Sequence, residues 1–254
     1  MSIVYVVGVG PSSPVWLTPM AKKAIEDSSI IVAWNWSLRT IDGLIDGKKI
    51  LVANNAKTEL ETEYQAANEA IQTGKNIAVL RVGDPCVSSQ LSQILGVFRG
   101  FDIQIIPSVG SIQLAAARAR ICIDESFIVS FHDGRKSPEV KTEKLDFLLE
   151  AYHRGRHLVI LTNEDQLPRQ TASFLQAHGI SSKTPIIVCE NLSLKNEKVY
   201  HKTLGEICDS EFDLTSILVI KNLQKEDLNC EETHDEKGVN SCMPCHVGCF
   251  TPKL

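Results

Sequence analysis

Short apolar segments alternate with longer amphipathic stretches from residue 3 to about residue 222, and this alternation limits the folds open to the chain more than any other feature. The first apolar segment, Ile3 to Val7, precedes a helical pattern over Thr18 to Asp27, with Thr18 as the predicted N-cap and Pro19 at the first helical position. Apolar segments that alternate with helices in this way are typical of an α/β protein with a largely parallel core sheet. We therefore expect an α/β fold.

The alternation divides into two series, which predict two lobes. The first series closes with a helix from Ser111 to Arg120, and the second opens with a strand at Phe127. We expect an N-terminal α/β lobe over residues 1–120, which holds the glycine-rich loops, and a C-terminal α/β lobe over residues 121–222. The periodicity stops near residue 223, so residues 223–254 are expected to be a Cys-rich tail, disordered or metal-binding.

Composition excludes several classes of protein. The chain has 254 residues, 26 basic against 31 acidic side chains and a net charge of -5, which argues against a nucleic-acid-binding protein. A local basic pocket for an anionic small molecule is still compatible with this balance. No apolar run reaches the ~20 residues that a membrane span requires, and no charged segment precedes Ile3 as in a signal peptide. We therefore expect a soluble cytoplasmic protein.

Three glycine-containing loops follow predicted strands of the first lobe, at residues 8–13, 81–86 and 107–113. The first loop is not a dinucleotide fingerprint, because its third glycine position is Ser13 and no acidic residue ends the second strand. Each loop taken alone could simply be a tight turn. Together, at the carboxyl ends of strands, they favour a ligand site.

In order and spacing, the three loops resemble those of the tetrapyrrole methylase family, which are two-lobed methyltransferases that use S-adenosylmethionine (SAM). The resemblance covers roughly residues 3–221. In the second lobe, residues 130–135, 161–162 and 190–193, together with Glu197, look like the branch that methylates C-5 of precorrin-7 or cobalt-precorrin-7 in cobalamin biosynthesis. The resemblance therefore implies a SAM-dependent C-methyltransferase.

The family resemblance also implies a site and partners. The resemblance implies that SAM lies in the cleft between the lobes and that the protein is a homodimer. Because residues 223–254 do not resemble a second methyltransferase domain, a separate protein is expected to carry out the neighbouring C-15 methylation and decarboxylation. Asp84 could contact the cofactor or cap its own turn. The implied cofactor-binding residues are Gly8, Gly10, Pro11, Gly83, Asp84, Pro85, Val87, Ser111 and Ile112.

The chain departs from the family pattern at several positions. Ser12 stands where the first loop commonly has a glycine, Ser108 and Gly110 exchange the usual order of the third loop, and Asp133 is inserted into a His-Gly-Arg segment. These changes alter substrate-facing spacing more than they alter loop flexibility. They bear on the exact substrate more than on the use of SAM.

A corrin precursor carries several carboxylates, so its site should present cationic side chains. The candidates are Arg81, Arg118, His132 and Arg135, each in or just after a strand-end loop or a helix that such a loop opens. His132 could instead be a catalytic residue that accepts a proton from the meso carbon, since the ordinary imidazole pKa is about 6.5. It could also be a surface-loop histidine without a role.

The tail contains a second candidate site. Cys230, Cys242, Cys245 and Cys249 could provide four thiolates for zinc or an iron–sulfur cluster, although a tail that binds no metal is equally compatible with this spacing. Alternatives within the family are another tetrapyrrole methylase and a diphthine synthase-like methyltransferase. From a different class, the chain could be a metal-binding module on an inactive methylase scaffold.

Overall fold

The computed structural model describes residues 2–132, 137–163, 167–213 and 216–222. These residues form two five-stranded sheets, each covered by helices. The predicted α/β architecture of two lobes is therefore confirmed. Each sheet has its own hydrophobic core, and a further apolar cluster lies between the second sheet and a helix that follows the first.

The first sheet is entirely parallel, with the strand order β3-β2-β4-β1-β5. Because the chain returns to the same side before each strand, the carboxyl ends of β4, β1 and β5 are neighbours at one edge of the sheet. The three predicted loops therefore leave the sheet side by side. The strands are β1 (Ile3–Gly8), β2 (Ile30–Trp34), β3 (Lys49–Ala53), β4 (Ile77–Arg81) and β5 (Asp102–Ile106).

The helices of the first lobe alternate with its strands, as predicted. Thr18 accepts a hydrogen bond from the Ala21 backbone N–H at 3.1 Å, which confirms it as an N-cap. Another helix begins at Ala56, where Asn55 and Thr58 form a capping box. A later helix begins at Leu91, after Gln90, whose φ of 54° lies in the left-handed region. The helices are α1 (Pro19–Glu26), α2 (Asn35–Leu38), α3 (Ala56–Thr73) and α4 (Leu91–Val97).

The second sheet is mixed, so the prediction of largely parallel pairing holds only for the first. Its order is β6-β7-β10-β8-β9, with β6 and β7 parallel and the other pairs antiparallel. Hydrophobic alternation shows which face of a strand is buried and not the direction of its neighbour. The strands are β6 (Ser126–Ser130), β7 (His157–Leu161), β8 (Pro185–Glu190), β9 (Lys198–Thr203) and β10 (Ile217–Ile220).

Four helices accompany the second sheet: α5 (Ser111–Ala119), α6 (Pro138–His153), α7 (Pro168–Ala177) and α8 (Leu204–Ile207). Although α5 follows the last strand of the first sheet, its residues Ile112 and Ala115 pack in one cluster with Val159 and Val219 of the second sheet. The chain thus crosses to the second lobe at α5, and the division after residue 120 stays a prediction.

Candidate active site between the lobes

The three loops lie against one another at the carboxyl edge of the first sheet. The Gly83 N–H donates to the Gly10 carbonyl at 2.8 Å, and the two residues form an isolated antiparallel bridge. The Val9 N–H donates to the Arg81 carbonyl at 2.9 Å. The first and second loops are therefore held against each other by main-chain hydrogen bonds.

Glycine is required where these loops meet. A Cβ at Gly8 would lie 2.7 Å from the Gly83 carbonyl oxygen, 2.7 Å from the Ser108 Cβ and 2.9 Å from the Pro85 Cδ. Gly83 has a φ of 72°, and a Cβ added to it would lie 3.4 Å from the Gly110 Cα. Any side chain at Gly8 would push the three loops apart.

Asp84 connects the second loop to the third. Its Oδ1 accepts the Cys86 N–H at 2.7 Å, and its Oδ2 accepts the Ser108 N–H at 3.0 Å. The carboxylate therefore caps its own turn, which is one of the two roles that the sequence left open for Asp84. Because an ionised carboxylate accepts up to about four hydrogen bonds, a ligand contact is compatible with this role.

The third loop carries a buried hydroxyl that can serve a polar ligand. The Ser108 Oγ is buried, and no described residue within hydrogen-bonding distance pairs with it. Buried polar groups are normally hydrogen-bonded, so this hydroxyl, which lies beside Gly8, is an unsatisfied hydrogen-bond donor and acceptor. A buried hydroxyl without a partner beside the glycine loops is compatible with a polar cofactor such as SAM.

The start of α5 brings the remaining predicted cofactor residues to the loops. Ser111 is the first residue of the helix, and the Gly110 N–H before it donates to the Gln113 Oε1 at 3.0 Å. Ile112 and Val87 belong to one apolar cluster with strands of the second sheet. The structure thus places all nine predicted cofactor residues on neighbouring loops and on the helix that begins beside them.

Hydroxyl groups join the two lobes on either side of the loops. The Ser193 Oγ donates to the Pro11 carbonyl of the first loop. After the second loop, the Ser88 Oγ is hydrogen-bonded to the Ser130 Oγ at the end of β6. The lobes therefore touch through the same loops that form the candidate site.

The structure corrects the prediction for Arg81. Its side chain is only 5% exposed, and its guanidinium forms ion pairs with Glu59 at 2.7 Å and Glu63 at 2.8 Å. Both carboxylates come from α3, inside the first lobe. Burial raises the pKa of Glu63, and Arg81 partly opposes this effect. Arg81 therefore braces β4 against α3 and is not available to a substrate carboxylate.

Arg118 is half-exposed and already holds a carboxylate. Its Nε donates to the Glu197 Oε1 at 2.7 Å, and the side chain is 51% exposed. This hydrogen bond lowers the pKa of Glu197 and raises the pKa of Arg118. A substrate carboxylate could reach only the rest of the guanidinium, which has five N–H donors.

His132 lies at the described end of the loop after β6. It is exposed, and its backbone N–H donates to the Ser130 Oγ at 3.0 Å. Lys144 of α6 approaches the same turn, since its Nζ donates to the Ser130 carbonyl at 2.6 Å and lies 5.4 Å from the centre of the Phe131 ring. Arg135 and the tail residues Cys230, Cys242, Cys245 and Cys249 lie outside the described residues.

Sequence reasoning missed the partners of Arg81. Glu59 and Glu63 stand four residues apart, on the helix face that also buries Ala66, Ala67 and Ala70. Two acidic residues in line with small buried residues were a signal for a buried cation partner. Ser193 gave no such signal, because its contact to Pro11 joins residues 182 positions apart.

The described residues contain neither a cluster of metal ligands nor a helix that could span a membrane. Within residues 2–222, apart from the short gaps, no three His, Cys, Asp or Glu side chains are grouped so that they could hold a metal ion. Over the same described residues, no helix combines the length and apolar character needed to cross a membrane.

The fold and the loops define the class of the protein. The family model of the Tetrapyrrole (Corrin/Porphyrin) Methylases matches residues 3–208. The chain therefore belongs to this family and is a SAM-dependent methyltransferase, as the resemblance of its loops implied. Arg118, His132 and the three loops all lie within the matched residues.

Among individual proteins, the chain is similar to the probable cobalt-precorrin-7 C(5)-methyltransferase of Methanocaldococcus jannaschii, with 32% identity over 85% of this chain and 97% of that protein. The crystal structure of the methyltransferase CobJ has the same fold, with a TM-score of 0.75, 19% identity and coverage of 87% of this chain and 95% of that one. The uroporphyrin-III C-methyltransferase of Thermus thermophilus, solved with S-adenosylhomocysteine, gives a TM-score of 0.69 at 20% identity, with 89% of this chain and 100% of that chain covered.

Proposed function

We propose that this protein transfers a methyl group from SAM to C-5 of a corrin precursor, either precorrin-7 or cobalt-precorrin-7, in cobalamin biosynthesis. The observation that carries the proposal is the 32% identity to the C(5)-methyltransferase of M. jannaschii, which extends over 97% of that relative. A match over 85% of this chain and nearly the whole of the relative includes residues of both lobes.

The cofactor part of the proposal rests on the joined loops. SAM would be held by the backbone around Gly10, Gly83 and Asp84 and by the first turn of α5, and the buried Ser108 hydroxyl offers a further hydrogen bond. When bound, SAM supplies an activated methyl group for attack by a carbon nucleophile. The T. thermophilus relative was solved with S-adenosylhomocysteine, which supports SAM as the cofactor.

The substrate part assigns the chemistry to positioning. An electron-rich meso carbon of a reduced corrin precursor is itself the nucleophile, so the protein needs no covalent catalysis and must orient the carbon and exclude water. Arg118, His132 and Arg135 remain candidates for the substrate carboxylates, and the structure adds Lys144 near His132. His132 would accept the proton that the methylated carbon loses.

The remaining expectations belong to the same proposal. We expect a homodimer in the cytoplasm, and a separate protein for C-15 methylation and decarboxylation. The four tail cysteines remain a candidate zinc or iron–sulfur site. Metal analysis of the full chain against a chain ending at Asn222 tests this site. Metal bound by the full chain alone would support it, and methyl transfer by the shortened chain would show that the reaction does not depend on a metal in the tail.

The test is methyl transfer from isotope-labelled SAM to precorrin-7, to cobalt-precorrin-7 and, in a separate reaction, to elongation factor 2. Mass spectrometry detects the label, and NMR assigns the labelled corrin carbon. We expect one labelled methyl group at C-5. Label on another corrin carbon would favour a different tetrapyrrole methylase, and label on elongation factor 2 would favour a diphthine synthase-like enzyme. Label on none of these substrates would overturn the proposal.

A further inference from the structure

The segment between β8 and β9 crosses from the second lobe to the first glycine loop. It runs from residue 191 to residue 197, and within it the Ser193 Oγ donates to the Pro11 carbonyl. Pro11 directly follows Gly10, which is bridged to Gly83 of the second loop. A group of the second lobe thus holds one wall of the proposed cofactor site.

Glu197 fixes this segment in two directions. Its Oε2 accepts the Ser193 backbone N–H at 2.7 Å, and its Oε1 accepts the Arg118 Nε at 2.7 Å. Arg118 belongs to the last turn of α5, the helix whose first residues, Ser111 and Ile112, lie at the third loop. One carboxylate therefore connects the far end of α5 to the residue that holds the first loop.

One residue of the segment has a strained backbone. Ser193 has a φ of 71°, in the left-handed region that residues other than glycine, asparagine and aspartate rarely adopt. Such strain persists when surrounding contacts maintain it, and it is concentrated at ligand sites and switch regions. The contacts of Ser193 in this segment are those with Glu197 and Pro11.

We propose that Arg118, Glu197 and Ser193 form an inter-lobe clasp that fixes the first glycine loop relative to α5, with Glu197 as a positioning residue for the cofactor site. The clasp touches no reacting atom. It acts by holding the Pro11 carbonyl at a constant separation from the last turn of α5, so that the first loop does not have to be ordered when the cofactor binds. The inference rests on the proposed use of this cleft by SAM.

The same clasp assigns Arg118 a second task. Arg118 donates its Nε–H to Glu197, its side chain is half-exposed, and its guanidinium has four further N–H donors. Loss of the Glu197 charge would therefore release both the loop and the guanidinium. Loss of the Ser193 hydroxyl would release the loop alone.

The experiment compares Ser193→Gly and Glu197→Gln with the wild-type protein by calorimetric titration with S-adenosylhomocysteine and by steady-state kinetics. Ser193→Gly removes the hydroxyl and suits the left-handed backbone, so the variant should fold at least as stably as the wild type. We expect its Kd for S-adenosylhomocysteine and its KM for SAM to rise roughly 3- to 10-fold, the loss expected for one hydrogen bond, with kcat changed less than twofold.

Glu197→Gln keeps an acceptor for the Ser193 N–H and removes the charge that holds Arg118. We expect it to raise KM for SAM by a similar factor, and to raise KM for the corrin substrate as well, which Ser193→Gly should not do. Glu150→Gln is the matched control, because it breaks an exposed pair with Arg154 on α6, away from the loops.

The outcomes separate the clasp from the proposed function. Wild-type protein that does not bind S-adenosylhomocysteine would overturn both the cofactor site and the clasp. Wild-type protein that binds it, together with variants that bind it equally well, would overturn the clasp alone. Equal rises in Kd for Glu150→Gln and Glu197→Gln would also overturn it, because a general loss of stability would then explain the effect.

Discussion

Replacement of Arg81 by methionine should lower the free energy of unfolding of this protein more than any substitution of an exposed residue. The change removes the cation that lies 2.7 Å from Glu59 and 2.8 Å from Glu63, whose side chains are 4% and 0% exposed. Breaking a buried pair from one side costs about 3–5 kcal/mol, because the remaining charge stays buried without compensation. In a chain of this size the melting temperature should fall by about 6–20 °C.

The loss of stability in Arg81→Met should depend on pH. Burial already raises the pKa of Glu63 above its ordinary value of 4.5 while Arg81 opposes the rise, so removal of Arg81 should raise that pKa further. A folded protein that keeps this proton while the unfolded chain releases it loses stability as the pH rises from 4.5 through the raised pKa. Arg81→Met should therefore be closest to wild type near pH 5 and most destabilised at neutral pH and above.

Urea unfolding of both proteins between pH 5 and pH 8 measures these differences, with the slope against urea checked for constancy. Arg154→Met is the matched control, since it breaks an exposed pair with Glu150 and should cost less than about 0.5 kcal/mol. Unchanged stability of Arg81→Met, combined with a raised KM for the corrin substrate, would refute this account and restore the substrate role predicted from the sequence.

Three further predictions follow from the loops and the core. Gly8→Ala should abolish detectable binding of S-adenosylhomocysteine in calorimetry, because its Cβ would lie 2.7 Å from the Gly83 carbonyl oxygen; near-normal binding would show that the loops are not held together as described. Ser12→Gly should stabilise the protein by about 0.5–1 kcal/mol in thermal unfolding, since Ser12 has a φ of 77°, and a loss of stability would contradict the strain. Burial, and to a smaller extent the charge of Glu197, raise the pKa of Cys189 to about 11. At pH 8 the alkylation of Cys189 should therefore be at least about 100-fold slower than that of the exposed Cys122, as measured by peptide mass spectrometry, and comparable rates would contradict this burial.

The order of the elements was largely predictable from the sequence, for a local reason. The N-cap at Thr18, the glycine that ends α3 and the buried strand Ile77–Arg81 are all encoded within a few residues of where they act. The glycine loops were predictable as well, because a loop after a strand of a parallel sheet must emerge at the carboxyl edge. Their residues also carried the resemblance that pointed to the family.

Pairing direction and charge partnership were decided by the tertiary structure. β10 lies antiparallel between β7 and β8, which no pattern within four consecutive apolar residues specifies. Arg81 is a cationic side chain at the carboxyl end of a strand, where the sequence predicts a substrate contact, yet α3 packs two carboxylates against it. Which charge faces a cleft depends on what packs on the other side of the strand.

The sequence by itself thus determined the α/β elements, the three loops and the family, because each of these is set by neighbours along the chain. Only the tertiary structure determined that Asp84 holds the third loop, that Arg81 is buried, and that Ser193 reaches Pro11 from the other lobe. These contacts join residues 18 to 182 positions apart, and their partners are chosen by packing of the sheets and helices. The local sequence around Glu59 and Glu63 indicates a buried cation partner, but it does not say which cation the packing brings there.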